Sequence, residues 1–230
     1  MENYSYVKEN YQALLEEVKE LGKKYGNDVT LVAVTKSGSD EELCALAESG
    51  AADIGENRPQ ELVRRGALLS ERGYSPRLHE IGNLQRNKVK SIIDCVYLIH
   101  SLDSYELAVE IDKQARKAGR RVPVLIEVNS AREDAKGGIL PEECEEFYLK
   151  ISELDSLEIS GLMTMGPVCE DAEQMRPYFK LTKELFDNIK RKHGFKGEGI
   201  LSMGMSDSYK IAIEEGATLV RVGRMIFNKR

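Results

Sequence analysis

Lys36 is the first residue in this chain whose type and setting could do chemistry, because it stands directly after the short run TLVAVT at Thr30–Thr35. A run so rich in β-branched residues reads as a buried strand. Side chains alternate across a strand, so Val32, Val34 and Lys36 share one face while Leu31, Ala33 and Thr35 share the other. If the first set points inward, an amine sits above an apolar floor, where partial desolvation disfavours its ammonium form. A neutral lysine amine is a nucleophile able to form a Schiff base with a carbonyl. The plainer reading is a strand that stops at its first charged residue, and one lysine does not decide between the two.

Polar groups at the ends of other apolar runs add to it. Gly55-Glu56-Asn57-Arg58 closes one run and His79-Glu80-Ile81-Gly82-Asn83-Leu84-Gln85 closes another. Glu127 and Asn129 share a face with Leu125, and Arg221 alternates with Val220 and Val222. Such groups inside an apolar barrel need partners, since unpaired burial costs several kcal/mol; Glu127 and Arg221 could simply pair with each other. The run Leu201–Asp207 leads into a helical pattern that Ser206 suits as N-cap, and free N–H groups there, with the helix dipole, attract phosphate. Val222-Gly223-Arg224 opens a further helical turn, and Gly223 allows a ligand close to the backbone. Each loop alone reads as an ordinary capped turn. Together, opposite a buried lysine, they point to a phosphorylated carbonyl ligand.

These residues need a scaffold that gathers strand ends. After Thr30–Thr35, strands are expected at Ala52–Gly55, Arg77–Ile81, Val96–His100, Val122–Val128, Leu157–Met163, Gly199–Met203 and Thr218–Val222. Amphipathic stretches lie between them, around residues 59–71, 84–92, 104–118, 141–154, 171–193 and 207–215. A further helix opens on the capping-box pattern Ser39-Asp40-Glu41-Glu42 and stops at Gly50. Val7, Tyr11, Leu14, Leu15, Val18 and Leu21 recur at helical spacing before the first strand, ahead of Gly26. Strand–helix alternation implies parallel pairing, so the expected α/β fold is a single (β/α)8 TIM-type barrel with an extra N-terminal helix. A doubly wound open sheet should carry G-x-G-x-x-G in its first turn, and none is present. No linker or shift in composition divides residues 1–230, which are read as one domain.

Composition narrows the partners. With 33 basic and 39 acidic residues the net charge is −6, which argues against nucleic acid or an anionic membrane surface but not against a small anionic ligand. Hydrophobic residues make up 41% and charged residues 31%, as in ordinary soluble domains. Apolar runs such as Cys95–Ile99 fall far short of the roughly 20 residues that span a bilayer. The polar opening MENYSYVKENY has no signal-peptide core. Cys44, Cys95, Cys144 and Cys169 form no C-x-x-C pair, which excludes the usual zinc spacings and a dense disulfide framework. The expectation is a cytoplasmic protein with reduced thiols.

At these same positions the sequence resembles the pyridoxal phosphate (PLP) homeostasis protein family, which is related to the amino-terminal barrel of alanine racemase. The resembling segments are LVAVTK around Lys36, GENRPQEL from Gly55, LHEIGNLQRNKVK from Leu78, IHSLDS from Ile99, VLIEVN from Val124, GLMTM from Gly161, LSMGMSDSYKIAIEEGATLVRVG from Leu201, and IFN near the end. They span nearly the whole chain in the family's order. The resemblance implies that Lys36 holds PLP as a Schiff base. It also implies that Ser206 and main-chain groups at Gly223 and Arg224 receive the phosphate, and that Asn57, His79 and Met165 line the cofactor. Arg221 matches the family's arginine facing the pyridine nitrogen. A guanidinium effectively never gives up its proton, so that nitrogen should stay unprotonated, a weaker electron sink suited to holding or racemase-type chemistry. Some positions depart from the pattern: Leu78-His79-Glu80-Ile81-Gly82-Asn83 stands where relatives commonly have Trp-His-Phe-Ile-Gly-His. Arg224 often corresponds to Thr or Ser, and Asn228 replaces a frequent glycine.

The resulting expectation is a monomeric, cytoplasmic PLP-binding protein that holds and buffers or delivers the cofactor, with PLP-dependent apoenzymes as recipients and no robust turnover. Alanine racemases add a second domain carrying a catalytic tyrosine, and this chain ends just after its eighth strand; Tyr209, the nearest tyrosine to the phosphate loop, reads as a helix-surface residue. Two rivals stand beside it. One is a low-activity PLP-dependent amino-acid racemase or lyase. The other is a cofactor-free Schiff-base aldolase using Glu127 or His79 as acid–base partner, against which the SMGMS segment and Arg221 count.

Overall fold

Eight short parallel strands close into a barrel in chain order: β1 (Thr30–Val34), β2 (Asp53–Glu56), β3 (Arg77–Glu80), β4 (Leu98–Leu102), β5 (Val122–Glu127), β6 (Leu157–Met163), β7 (Ile200–Ser202) and β8 (Leu219–Val222). The computed structural model describes residues 4–133, 137–167, 169 and 171–229, so the first three residues of the polar opening lie outside the described residues. Closure is made by β1 against β8, with Thr30 opposite Leu219 and Val32 opposite Arg221. All eight expected strands are present, and the unrecognised boundaries differ by one or two residues, as at β4, which starts at Leu98 rather than Val96.

The helices are α1 (Ser5–Tyr25), α2 (Asp40–Glu48), α3 (Pro59–Glu71), α4 (Val89–Ile92), α5 (Tyr105–Lys117), α6 (Cys144–Ile151), α7 (Arg176–Lys192), α8 (Tyr209–Glu214) and α9 (Arg224–Phe227). Local chemistry sets their ends. Ser39 and Glu42 form the expected capping box at α2, and Gly26 ends α1 in the left-handed conformation at φ 75°. Pro59 occupies the first turn of α3, where its missing N–H costs nothing. No helix among the described residues is long and apolar enough to cross a membrane.

Alternation along the strands divides the molecule into two apolar regions. Val32, Leu98, Leu125, Met163 and Leu219 meet inside the barrel. Their neighbours Leu31, Ala33, Ile99, Val124, Ile126, Leu162, Val220 and Val222 face outward into the larger core beneath the helices. The helix α1 buries Val7, Tyr11, Leu14 and Val18 against α2, α8 and α9, so it covers the outside of the closing seam. Tyr209 belongs to that packing. It is 2% exposed rather than on a helix surface, and its hydroxyl donates to Glu17 Oε2 at 2.7 Å. The sequence put the residue on a helix surface; α8 packs against α1, which covers that side. Cys44, Cys95, Cys144 and Cys169 are all free thiols.

Candidate functional site

Parallel strands in a closed ring point every carboxyl end at one face, so the loops after them share it. Lys36 follows β1, Asn57 follows β2, Met165 follows β6, Ser206 follows β7, and Gly223 and Arg224 follow β8. Lys36 lies in a turn two residues beyond the last strand residue, and it is exposed. The sequence placed it on the strand and partly desolvated; the ladder instead ends at Val34, because Thr35 turns outward and its hydroxyl donates to Glu56 Oε1. Of the residues expected on the inward face, Val32 is in the barrel interior.

Contacts tie this turn to the loop after β8. A Cβ on Gly223 would stand 2.6 Å from the carbonyl oxygen of Val34, and one on Gly38 would stand 2.7 Å from the Phe227 ring. Lys36 is therefore held between two residues that press against the β8–α9 turn. Arg224 reaches back to Asp207 and forms an ion pair that joins the loops after β7 and β8. Arg224 thus has a carboxylate partner already, with both side chains well exposed. The N–H groups of Ser206, Gly223 and Arg224 are not taken up by main-chain carbonyls among the described residues. Ser206 is not the helix cap: the N-cap of α8 is Ser208, whose hydroxyl accepts from the Met205 N–H at 3.2 Å. The turn spanning Met205–Ser208 delays the helix start and leaves Ser206 outside it.

Arg221 and His79 differ from the loop residues, because their side chains are inside the barrel. Arg221 is 4% exposed; it donates to Ser202 Oγ and, at 3.1 Å, to the carbonyl of Thr164. Burial pulls its guanidinium down to about 10, with the Glu127 charge opposing. No ion pair joins Glu127 to Arg221 among the described residues, so the pairing that would have made both structural is not formed. Glu127 is pushed up to about 7, by burial first and then by Asp103, with Arg221 opposing.

His79 is 1% exposed. Its Nε2 lies 2.8 Å from Asp53 Oδ1 and its Nδ1 lies 3.0 Å from His100 Nε2. His100 Nδ1 in turn lies 3.0 Å from Ser202 Oγ. Burial lowers the pKa of His79 against the pull of Asp53, and lowers that of His100 further, with His79 and Arg221 adding to it. Burial also pushes the Asp53 carboxyl up, but hydrogen bonds from His79 and Arg77 outweigh it and hold the group below its usual value. Asp53, His100 and Ser202 were not singled out from the sequence. The available signal was a polar residue at an inward position of a short strand, as in Leu98-Ile99-His100 and Ile200-Leu201-Ser202.

Glu80 points the other way, into the layer between barrel and helices, and is fully buried. Its Oε1 accepts the Gly82 N–H at 3.1 Å while Oε2 has no partner. Burial, with the neighbouring Glu56 adding, raises it to about 8 against the Gly82 hydrogen bond. The shift favours the protonated acid at neutral pH.

The barrel and its ring of loops define a class of protein, the alanine racemase N-terminal domain type, whose family model matches residues 10–230. The chain belongs to that family and, within it, to the pyridoxal phosphate homeostasis proteins. The Aquifex aeolicus protein of that name is 39% identical over 225 residues, covering 96% of this chain and 97% of that relative. The Helicobacter pylori protein of the same name is 35% identical over 226 residues, covering 96% and 98%. Among solved structures, a protein of unknown function from Bifidobacterium adolescentis superposes with a TM-score of 0.89 at 33% identity, covering 97% of this chain and 95% of that one. PipY of Synechococcus elongatus, solved with PLP bound, gives 0.84 at 26% identity, covering 96% and 100%. An alanine racemase from Clostridium difficile shares the fold at 17% identity and a TM-score of 0.74, with this chain covering 56% of it.

Proposed function

We propose that residues 1–230 form a single PLP-binding domain that holds and buffers or delivers PLP in the cytoplasm, with the cofactor attached as a Schiff base to Lys36. One observation carries this reading: the Lys36 turn is pressed between Gly223 and Phe227, against the loop expected to receive a phosphate. An amine and a set of free N–H groups fit an aldehyde and a phosphate on one small molecule, and the bare Gly223 lets the β8–α9 turn close onto Val34, next to the lysine turn. The name shared by the relatives and the PLP seen in PipY support the same cofactor.

Each residue has a separate task. Lys36 Nζ supplies the amine. The Ser206 hydroxyl and the N–H groups of Gly223 and Arg224 bind the phosphate, and the Arg224–Asp207 ion pair keeps the two phosphate loops together. Asn57 and Met165 border the mouth. His79 supports it from below, since both its ring nitrogens are engaged inside the barrel. Arg221 faces the ring nitrogen and, as a permanent cation, keeps it unprotonated. PLP supplies an electron sink when bound, and an unprotonated ring makes that sink weak, which favours holding over turnover. The protein is a monomer in this reading and passes PLP to apoenzymes.

The test is the visible absorbance of purified protein given PLP. The expected result is a band trapped covalently by borohydride on Lys36 and absent from Lys36→Ala. A colourless protein that takes up no PLP would sink the proposal. Proton–deuterium exchange at the α-carbon of alanine separates a holder from a racemase: the expected rate is negligible. Glu127, a carboxyl poised near neutrality at the mouth, is the specific observation that favours the weak racemase or lyase as second reading.

A further inference from the structure

Five strands contribute to one continuous line of hydrogen bonds through the barrel, from Arg77 and Asp53 at the starts of β3 and β2 to Arg221 near the end of β8. The links are Asp53–His79, His79–His100, His100–Ser202 and Ser202–Arg221. We propose that this line is a directional chain in which Asp53, His79, His100 and Ser202 act as positioning residues for Arg221. It rests on the reading that Arg221 faces the ring nitrogen of bound PLP.

The direction follows from counting donors. A guanidinium only donates, so Ser202 Oγ accepts from Arg221. A carboxylate only accepts, so His79 must carry a proton on Nε2, facing Asp53. A neutral His79 then has a bare Nδ1, which accepts from His100 Nε2–H. The Nδ1 of His100 is bare in turn and accepts the hydroxyl proton of Ser202. Every proton has one place and every link has one donor. Reversing the line would set the bare Nε2 of His79 against the Asp53 carboxylate, two acceptors at 2.8 Å. A doubly protonated His79 would add a cation to an interior already holding Arg221. The groups facing the pair are Asp53 and Arg77 on β2 and β3, Tyr97 with its ring tilted 56° to that of His79, and Arg221 on β8. The carboxylate at the amino end of the barrel therefore fixes the side on which Ser202 presents its lone pair, and so the orientation of the guanidinium at the other end.

The chain holds three histidines, His79, His100 and His193, so nitrogen NMR of histidine-labelled, PLP-free protein reads them directly. The expected spectrum has His79 and His100 both protonated on Nε2 and bare on Nδ1, unchanged between about pH 5.5 and about pH 8. A ring protonated on Nδ1, or on both nitrogens, within that range overturns the chain. Ser202→Ala breaks the last link: PLP affinity should fall about tenfold and the bound-PLP absorbance should shift, with both tautomers intact in the PLP-free variant. Unchanged affinity and absorbance overturn the positioning role while leaving the proposed function standing. If the unaltered protein takes up no PLP, the positioning role falls together with the proposed function, although the tautomers would still be read.

Discussion

Glu80 is an acid fully buried in the layer between barrel and helices, and its surroundings dictate its protonation. The folded protein keeps its proton up to about pH 8, whereas an unfolded glutamate releases it near 4.5. Between those values the unfolded chain binds fewer protons than the folded one, so stability falls as pH rises through the window and levels off above it. Glu80→Gln removes that slope. Its advantage in stability over the parent should be smallest near pH 4.5 and grow up to about pH 8, by a few kcal/mol at most, and should show as a rising difference in Tm. A Tm difference that does not vary with pH would contradict the assignment. Lys36 shows the opposite lesson at the same scale. Its place directly after the strand was legible in TLVAVTK, but its exposure was not, because the strand ends through a hydrogen bond from Thr35 to Glu56, and that partner lies on another strand.

Elements were legible wherever their signals were local. Ser39-Asp40-Glu41-Glu42 carries a complete capping box, and it opens α2 as expected. Ser39→Ala should cost about 1 kcal/mol in denaturant unfolding, the loss of the hydrogen bond its hydroxyl accepts from the Glu42 N–H at 3.2 Å. Ser206 misled for the same physical reason: two serines two positions apart both suit a cap, and the turn Met205–Ser208 decides for the second. The chain of His79, His100 and Ser202 was not legible at all. Its links depend on barrel register between strands far apart in sequence, and no local pattern encodes register around a closed ring. The β8–α9 turn provides the sharpest test of element packing. Gly223→Ala would drive a Cβ to 2.6 Å from the Val34 carbonyl, so the turn must move away from β1. PLP affinity should drop by about tenfold or more, with about 1–3 kcal/mol lost in stability. Equal affinity in the variant would show that the close approach does not shape the site.

The whole molecule depends on α1 as much as on its strands. That helix seals the outside of the β1–β8 seam with Val7, Tyr11, Leu14 and Val18. Leu14→Ala should cost about 2–5 kcal/mol by calorimetry or denaturant unfolding, and PLP should restore part of the loss by binding only the folded form. The seam also orders events in time. Parallel neighbours β1 and β8 come from opposite ends of the sequence, so a growing chain exposes Lys36 long before the loops that would sit beside it exist. The lysine waits, open to any aldehyde, until the last strand docks. A ligand that bridges the two sides then acts as a clasp on the ring, and its grip is a sign that synthesis has run to the closing strand.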